Sequence, residues 1–353
     1  MLSTRWNHFL LSCSFLNWNM LSSGPTSDIK DKQMIVQTIL RQLLYCGLSL
    51  PILAGPTISI LTTDGRMIEG EVSNRKVTVR TAGQVRDLPL ERILSIHTAT
   101  PPTTTENEQI AKSIQSLQGT DRKDQDLAVE TISNIGFVAM TPLLKAYKDT
   151  DQHEPKPLYR LFDRIIPTGA DSLDRSLSVI RLVGGEVLRG NIVDAKFQMA
   201  GGNIAMEQVR RLAVRQKLVA KKYEVHSLRH STQIEYLDSG VMLTSGSTVA
   251  AKSLGVVRLS FDVDGWASDA NGIKVPGPNY KTNLVDGFPF GALVGRVGPA
   301  GDVWMAGVDL NKKSLPFGRL YFAVNDNKHW QNNIGGFQME LNVTDAYDIG
   351  APQ

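Results

Sequence analysis

One segment of this chain occurs twice, 120 residues apart, and that repetition limits the possible folds more than any other feature. ISILTTDGRMIEGEV, Ile58 to Val72, aligns with SVIRLVGGEVLRGNI, Ser178 to Ile192. Ile60 meets Ile180, Gly65 meets Gly185, Ile68 meets Leu188 and Gly70 meets Gly190. Each copy continues with an alternating strand, Val77 to Arg80 and Phe197 to Ala200, then a glycine turn and another strand. Both close on one phrase, in which Leu90-Glu91-Arg92-Ile93-Leu94-Ser95-Ile96 answers Met206-Glu207-Gln208-Val209-Arg210-Arg211-Leu212. Asp64-Gly65 and Gly184-Gly185 are two-residue hairpin signals, because such turns need a positive φ that Gly and Asp tolerate. The pattern predicts that Ile58 to Ile96 and Ser178 to Leu212 adopt the same β-meander.

Each copy, over residues 56–98 and 176–215, reads as a small bent antiparallel barrel and loosely resembles SH3-like barrels. Neither holds a catalytic pair, so the expected role is scaffold, or a docking surface for an envelope protein. Between them, TATPPTTTEN from Thr98 to Asn107 reads as an extended Thr/Pro linker over residues 99–107. Residues 108–168 resemble a single HEAT-type helical hairpin. Ile110, Ile114 and Leu117 recur at helical spacing, and Ala128, Ile132 and Ile135 share a face. Gly136 ends one helix, Pro142 starts the next, and Leu158 to Ile166 supply a further one. One hairpin cannot stack into a solenoid, so it is expected to pack onto the β-units.

The 353-residue length exceeds one usual domain. A charge of +3, from 38 basic and 35 acidic residues, gives no field to attract nucleic acid or anionic lipid. Cys13 and Cys46 both precede the first repeat, which excludes a disulfide framework or cysteine zinc site further along. Leu43 to Ala54, LLYCGLSLPILA, is an apolar run of signal-peptide length behind Arg41, too short to span a bilayer. Residues 1–55 therefore read as a leader, the mature chain is expected to start after Ala54 without a stable membrane span, and the location is secreted, periplasmic or cell surface.

From Tyr223 the texture becomes all-β. Tyr223 to Leu228, Ile234 to Leu237, Val256 to Phe261, Gly291 to Val297, Arg319 to Val324 and Gly336 to Val343 are short strands divided by Gly, Asn and Asp turns, which argues for a sandwich over residues 223–345. The fold class is thus mainly β and multidomain. Here the residues resemble a known family. Tyr236-Leu-Asp-Ser-Gly240-Val, Gly265-Trp266-Ala267-Ser268, Phe290-Gly291-Ala292-Leu293-Val294, Gly318-Arg-Leu, Asn325-Asp326 and Asn332-Asn333-x-Gly335-x-Phe337 follow the order of the LecA-like (PA-I type) calcium-dependent galactophilic bacterial lectins.

The resemblance implies a calcium ion held by Asp326, Asn332 and Asn333 with the main-chain carbonyl of Asp269, and sugar hydroxyls completing its shell. A loop with one carboxylate, two carboxamides and carbonyls suits the six to eight oxygens that calcium takes. The loop NDNKHWQNN is one residue shorter than the family's, so a second loop carbonyl at His329 or Trp330 has no fixed place. The family's sugar-contacting His and Gln have no counterpart either; Tyr280, Lys281 and Asn283 stand there, and galactose specificity does not carry over. Sugar contacts are expected from Asp326, Asn332, Tyr280 and Trp330, with Trp304 as a second stacking candidate. An Asx-turn shaping a hairpin is the structural alternative for the loop. Asp262-Val-Asp264-Gly265 lacks the distal Glu of an EF-hand. His226 and His230, read as lying in one strand, are too far apart for zinc. No enzyme signature occurs. The expected function is calcium-dependent glycan or polysaccharide binding outside the cytoplasm, and the rival is a non-catalytic envelope protein whose sandwich binds no sugar.

Overall fold

A computed structural model describes residues 55–148, 165, 176–193, 196–260, 266–273, 285–327 and 330–350. The leader at 1–54, the helix expected at Leu158 to Ile166 apart from Ile165, and Tyr280, Lys281 and Asn283 lie outside the described residues. Gly55–Gln353 forms one compact unit. It is mainly β, and one large sheet carries most of its strands.

The first repeat contains β1 (Thr57–Thr62), β2 (Met67–Glu71), β3 (Lys76–Thr81), β4 (Gln84–Pro89), a 3-10 turn (Leu90–Arg92) and β5 (Ile93–His97). The second contains β6 (Ser178–Leu182), β7 (Val187–Val193), β8 (Lys196–Met199), β9 (Gly202–Ala205), a 3-10 turn (Met206–Gln208) and β10 (Val209–His226). Element for element the copies agree. Gly65, Gly184 and Gly185 take the positive φ that the first hairpin of each copy requires.

The copies do not close as two separate barrels. β1 pairs with β10 of the other copy, Ile60 opposite Leu212, and β6 pairs with β5, Ile180 opposite Ile96. These are the same contact related by the repeat, and Ile96 and Leu212 face each other between β5 and β10, on the pseudo-twofold axis. Val79 opposite Ile192 has its counterpart in the bridge between Met199 and Val72. One core results, filled from both copies by Ile58, Ile60, Val79, Ile93, Ile96, Ile180, Phe197, Val209 and Leu212. Strand exchange of this kind joins two small cores, each poor in buried area, into one larger core.

The seam between the copies is not equally tight on its two sides. A Cβ on Gly190 would meet the Arg80 main-chain oxygen at 2.4 Å, whereas on Gly70 it would meet only the Met199 Cε at 2.9 Å. Gly190→Ala should therefore cost about 1–3 kcal/mol by forcing backbones apart, and Gly70→Ala under about 1 kcal/mol because a methionine end can move. Urea denaturation midpoints of the two variants check the contrast, and equal losses would refute it.

β10 does not stop at the expected boundary. Over Val209–Val214 it belongs to the repeat core, and from Arg215 to His226 it pairs with β17 (Ile334–Asp348). β17 pairs in turn with β11 (Leu237–Arg258), a strand whose register breaks between Leu243 and Thr248. Before the break β11 pairs with β16 (Gly318–Val324), and after it with β15 (Asp309–Lys313) and β12 (Ala267–Ser268). β13 (Leu293–Val297) pairs with β16 and with β14 (Trp304–Met305). These strands bury a common core that includes Val225, Val249, Leu293, Phe290, Phe322, Phe337 and Leu341.

Helices α1 (Thr104–Gln118), α2 (Arg122–Ile135) and α3 (Met140–Lys148) bury Ile110, Leu117, Ile132, Ile135 and Leu143 together with Ile165. α1 begins inside the expected linker. Thr103 and Glu106 form a capping box, with the Thr103 N–H donating to Glu106 Oε2 at 2.8 Å. Arg122–Ala146 is apolar and long enough to cross a membrane, but it bends at Gly136 and its apolar face is spent on this core. α2 also docks on the outer face of β13 and β16. There Arg296 binds Asp126 at 3.0 Å and lies 3.8 Å from the centre of the Tyr236 ring, and Tyr321 donates to Glu130 at 3.0 Å.

Candidate functional site

β16 runs out of the core directly into Asn325, Asp326 and Asn327, all three buried. Asn325 fixes the approach to β13. Its Oδ1 accepts from the Val285 N–H at 3.0 Å, and its Nδ2 donates to the carbonyls of Phe288 at 3.2 Å and Pro289 at 3.1 Å. Its own N–H donates to the Ala292 carbonyl at 2.8 Å. From the other side, Thr232 and Gln233 hold the main chain of Asp326. The Asp326 N–H donates to Thr232 Oγ1 at 3.2 Å, and its carbonyl accepts from Gln233 Nε2 at 3.0 Å.

With its backbone clamped on both sides, Asp326 directs its carboxylate into the loop. Oδ1 accepts from the Asn327 N–H at 2.6 Å, and Oδ2 accepts from Asn333 Nδ2. Burial pushes the pKa of this carboxyl up to about 6, against the opposing pull of those two hydrogen bonds. The partner Asn333 is 1% exposed, and its other end is unsatisfied: Oδ1 is buried and receives no hydrogen bond from the described residues. A buried carboxylate beside an orphaned carboxamide oxygen concentrates negative potential in a small space.

The expected site residues fare differently. Asp326 and Asn333 are brought into direct contact. Asn332, half-buried, ends the short turn Trp330–Asn332 that leads into β17. The Trp330 side chain, His329 and Tyr280 lie outside the described residues, as does Asp262 to Gly265. Next to Asp269, the Ala270 carbonyl accepts from the Leu293 N–H at 2.8 Å. The Asp269 main-chain oxygen already accepts from the Gly272 N–H at 3.0 Å and from Ser268 Oγ at 2.6 Å. Its side chain is exposed, with Oδ1 accepting from the Asn271 N–H at 2.8 Å.

Trp304 packs edge to face on Phe322 with centroids 6.0 Å apart, and its ring lies where a Gly295 Cβ would be. Packing, rather than a free stacking face, accounts for it. The two histidines need a correction. An extended strand would hold His226 and His230 about 13 Å apart, but β10 ends at His226 and the chain turns back. The His226 N–H donates to His230 Nδ1 at 3.0 Å, and Leu228 N–H donates to His226 Nδ1 at 3.1 Å. Both Nδ1 atoms are thereby occupied as acceptors. Among the described residues no three His, Cys, Asp or Glu side chains gather as a metal cluster. Among the described residues, the other oxygens beside Asp326 belong to carboxamides and carbonyls, a donor set that suits calcium and not zinc.

No family model matches the chain, and no curated protein matches it. Among solved structures that match, one is described as the EclA N-terminal domain, a PllA-like lectin. It is 17% identical, with a TM-score of 0.28, over 36% of this chain and 98% of that chain.

Proposed function

We propose that this chain is a non-enzymatic, calcium-dependent carbohydrate-binding protein that works outside the cytoplasm, secreted, periplasmic or at the cell surface. The observation that carries the reading is the orphaned Asn333 Oδ1 beside the buried Asp326 carboxylate. A calcium ion there gives that oxygen a partner and neutralises the carboxylate that burial otherwise penalises. Asp326, Asn333 and Asn332 hold the ion, and vicinal sugar hydroxyls fill positions left open in the shell. Tyr280 and Trp330 flank the sugar. With a single carboxylate in the proposed set, calcium affinity falls in the weak range, on the order of 10⁻⁴ M or weaker.

A glycan array probed with the full-length protein in millimolar calcium and again in chelator tests this directly. Binding to at least one glycan class in calcium, lost in chelator, is the expected result. Calorimetry that finds no calcium uptake at millimolar concentration would end the reading. The isolated fragment from Tyr223 is unsuitable, because it severs β10 within its pairing with β17.

The rival also has an observation behind it. Asp326 Oδ1 caps the Asn327 N–H and Oδ2 takes the Asn333 amide, so the loop is shaped without an ion. On that reading the sheet belongs to a structural or interaction protein of the envelope, and calcium leaves its melting temperature unchanged.

A further inference from the structure

Two hairpin tips of the repeat core face each other across an open cleft of about 810 Å³. One wall is the β1–β2 hairpin and the other the turn between β8 and β9, from Met199 to Ile204. Among the described residues β2 pairs only with β1, which leaves its second edge towards this cleft. The Thr62 N–H donates to the Arg66 carbonyl at 2.9 Å, so Arg66, Ile68 and Gly70 turn their backbone groups to β1. Those of Met67, Glu69 and Glu71 alternate with them and point outward.

The second copy of the repeat serves as an internal control. There β7 is joined to β3 by three register pairs, and Arg80 lies against Gly190. In the first copy the corresponding seam is the bridge between Val72 and Met199 with the Ser73 N–H donating to the Gln198 carbonyl at 3.1 Å, and no backbone atom lies within 4 Å of a Cβ built on Gly70. The charge differs as well. Glu69 and Glu71 correspond to Arg189 and Asn191, so the fold does not demand carboxylates at these places. Within the cleft Asp64 is taken by Arg66 at 2.7 Å, and Glu69 accepts from the Tyr347 hydroxyl at 2.8 Å. Glu71 is exposed and has no ion-pair partner among the described residues. The facing turn, Ala200-Gly201-Gly202-Asn203, presents backbone and no charge.

We propose that this cleft binds an extended basic peptide segment of a partner protein as an added strand along β2. Basic side chains two residues apart then lie opposite Glu69 and Glu71. Side chains at i and i+2 of a strand share a face and repeat about every 6.6 Å, so the two spacings match. The outward N–H and C=O groups of Met67 and Glu69 supply the main-chain ladder, and the carboxylates supply selectivity. An acidic wall repels phosphate-bearing ligands, which makes the partner a protein. This inference is independent of the glycan site.

Fluorescence anisotropy with full-length protein and labelled acetyl-Thr-Lys-Thr-Lys-Thr-Lys-Thr-amide tests it. Saturable binding is expected, with none for the peptide carrying Glu in place of Lys. Methylating alternate backbone nitrogens should weaken binding at least about tenfold, since strand addition needs those donors. Glu71→Asn, which installs the residue of the second copy at an exposed position, should weaken it about fivefold and leave the melting curve in place. Arg189→Glu should change nothing. The proposal is overturned if the lysine peptide does not bind, if the glutamate peptide binds as well, or if methylation or Glu71→Asn leaves the affinity unchanged.

Discussion

Asp326→Asn should make the calcium-free protein more stable at neutral pH while removing its response to calcium. Burial holds the Asp326 carboxyl at a pKa of about 6, above the ordinary 3.8. A raised pKa means that the folded state favours the proton. The stabilising contribution is complete below about pH 4 and is lost as pH rises through 6. At neutral pH, without an ion, the ionised carboxylate then costs on the order of 3 kcal/mol, from about two pKa units. Asparagine keeps the shape and an acceptor for the Asn327 N–H but carries no charge to desolvate. Its melting temperature in chelator should exceed that of the wild type by several degrees.

Calcium should close most of the gap between the two proteins. A ligand at a hundredfold its dissociation constant stabilises the folded state by about 2.7 kcal/mol, and only the wild type retains the carboxylate that attracts it. Below about pH 6 protons compete for that carboxylate, so calcium stabilisation of the wild type should fade as pH drops from 7 to 5. Differential scanning fluorimetry of both proteins, with calcium and with chelator across that range, reads every term. A variant less stable than wild type in chelator would show that the Asp326 carboxylate is a structural group and not one awaiting a cation.

Much of the fold was legible because hydrophobic alternation and turn glycines are local signals. The repeat gave the strand order of both copies, yet not the partner of each strand. Ile60 alternates identically whether β1 pairs with β5 or with β10, and only the joint burial of Ile60, Ile96, Ile180 and Leu212 selects the exchange. The start of α1 was also written in the sequence, as Thr103 followed by Glu106 at capping-box spacing, but the surrounding Thr/Pro composition masked it. At the site, Asp326 and Asn333 were visible as oxygen donors in one loop. Thr232 and Gln233, which clamp the Asp326 backbone from about 94 positions away in sequence, carry no local mark of that role. Nor did any pattern mark Asn333 Oδ1 as an orphan, since burial is a property of the packed chain.

The largest loss of stability should come from a pair that no motif announced. Arg210 on β10 and Glu106 in the first turn of α1 are both buried, and their ion pair ties the helices to the repeat core. The guanidinium bonds both carboxylate oxygens, Nε to Oε1 at 2.8 Å and Nη2 to Oε2 at 2.6 Å. Its remaining donors reach the carbonyls of Thr100 and Pro101, the approach to α1. Glu106→Gln keeps the helix cap, because glutamine serves at that position of a capping box, but it leaves the guanidinium buried and uncompensated. Removing one member of a buried pair costs about 3–5 kcal/mol, and Arg210→Met should cost as much. The double variant Arg210→Met with Glu106→Gln buries no charge, so its loss should fall short of the summed single losses by at least about 2 kcal/mol. Urea unfolding of the four proteins closes the cycle. Single losses below about 1 kcal/mol would mean that water reaches the pair and that the helices are held by their apolar face alone.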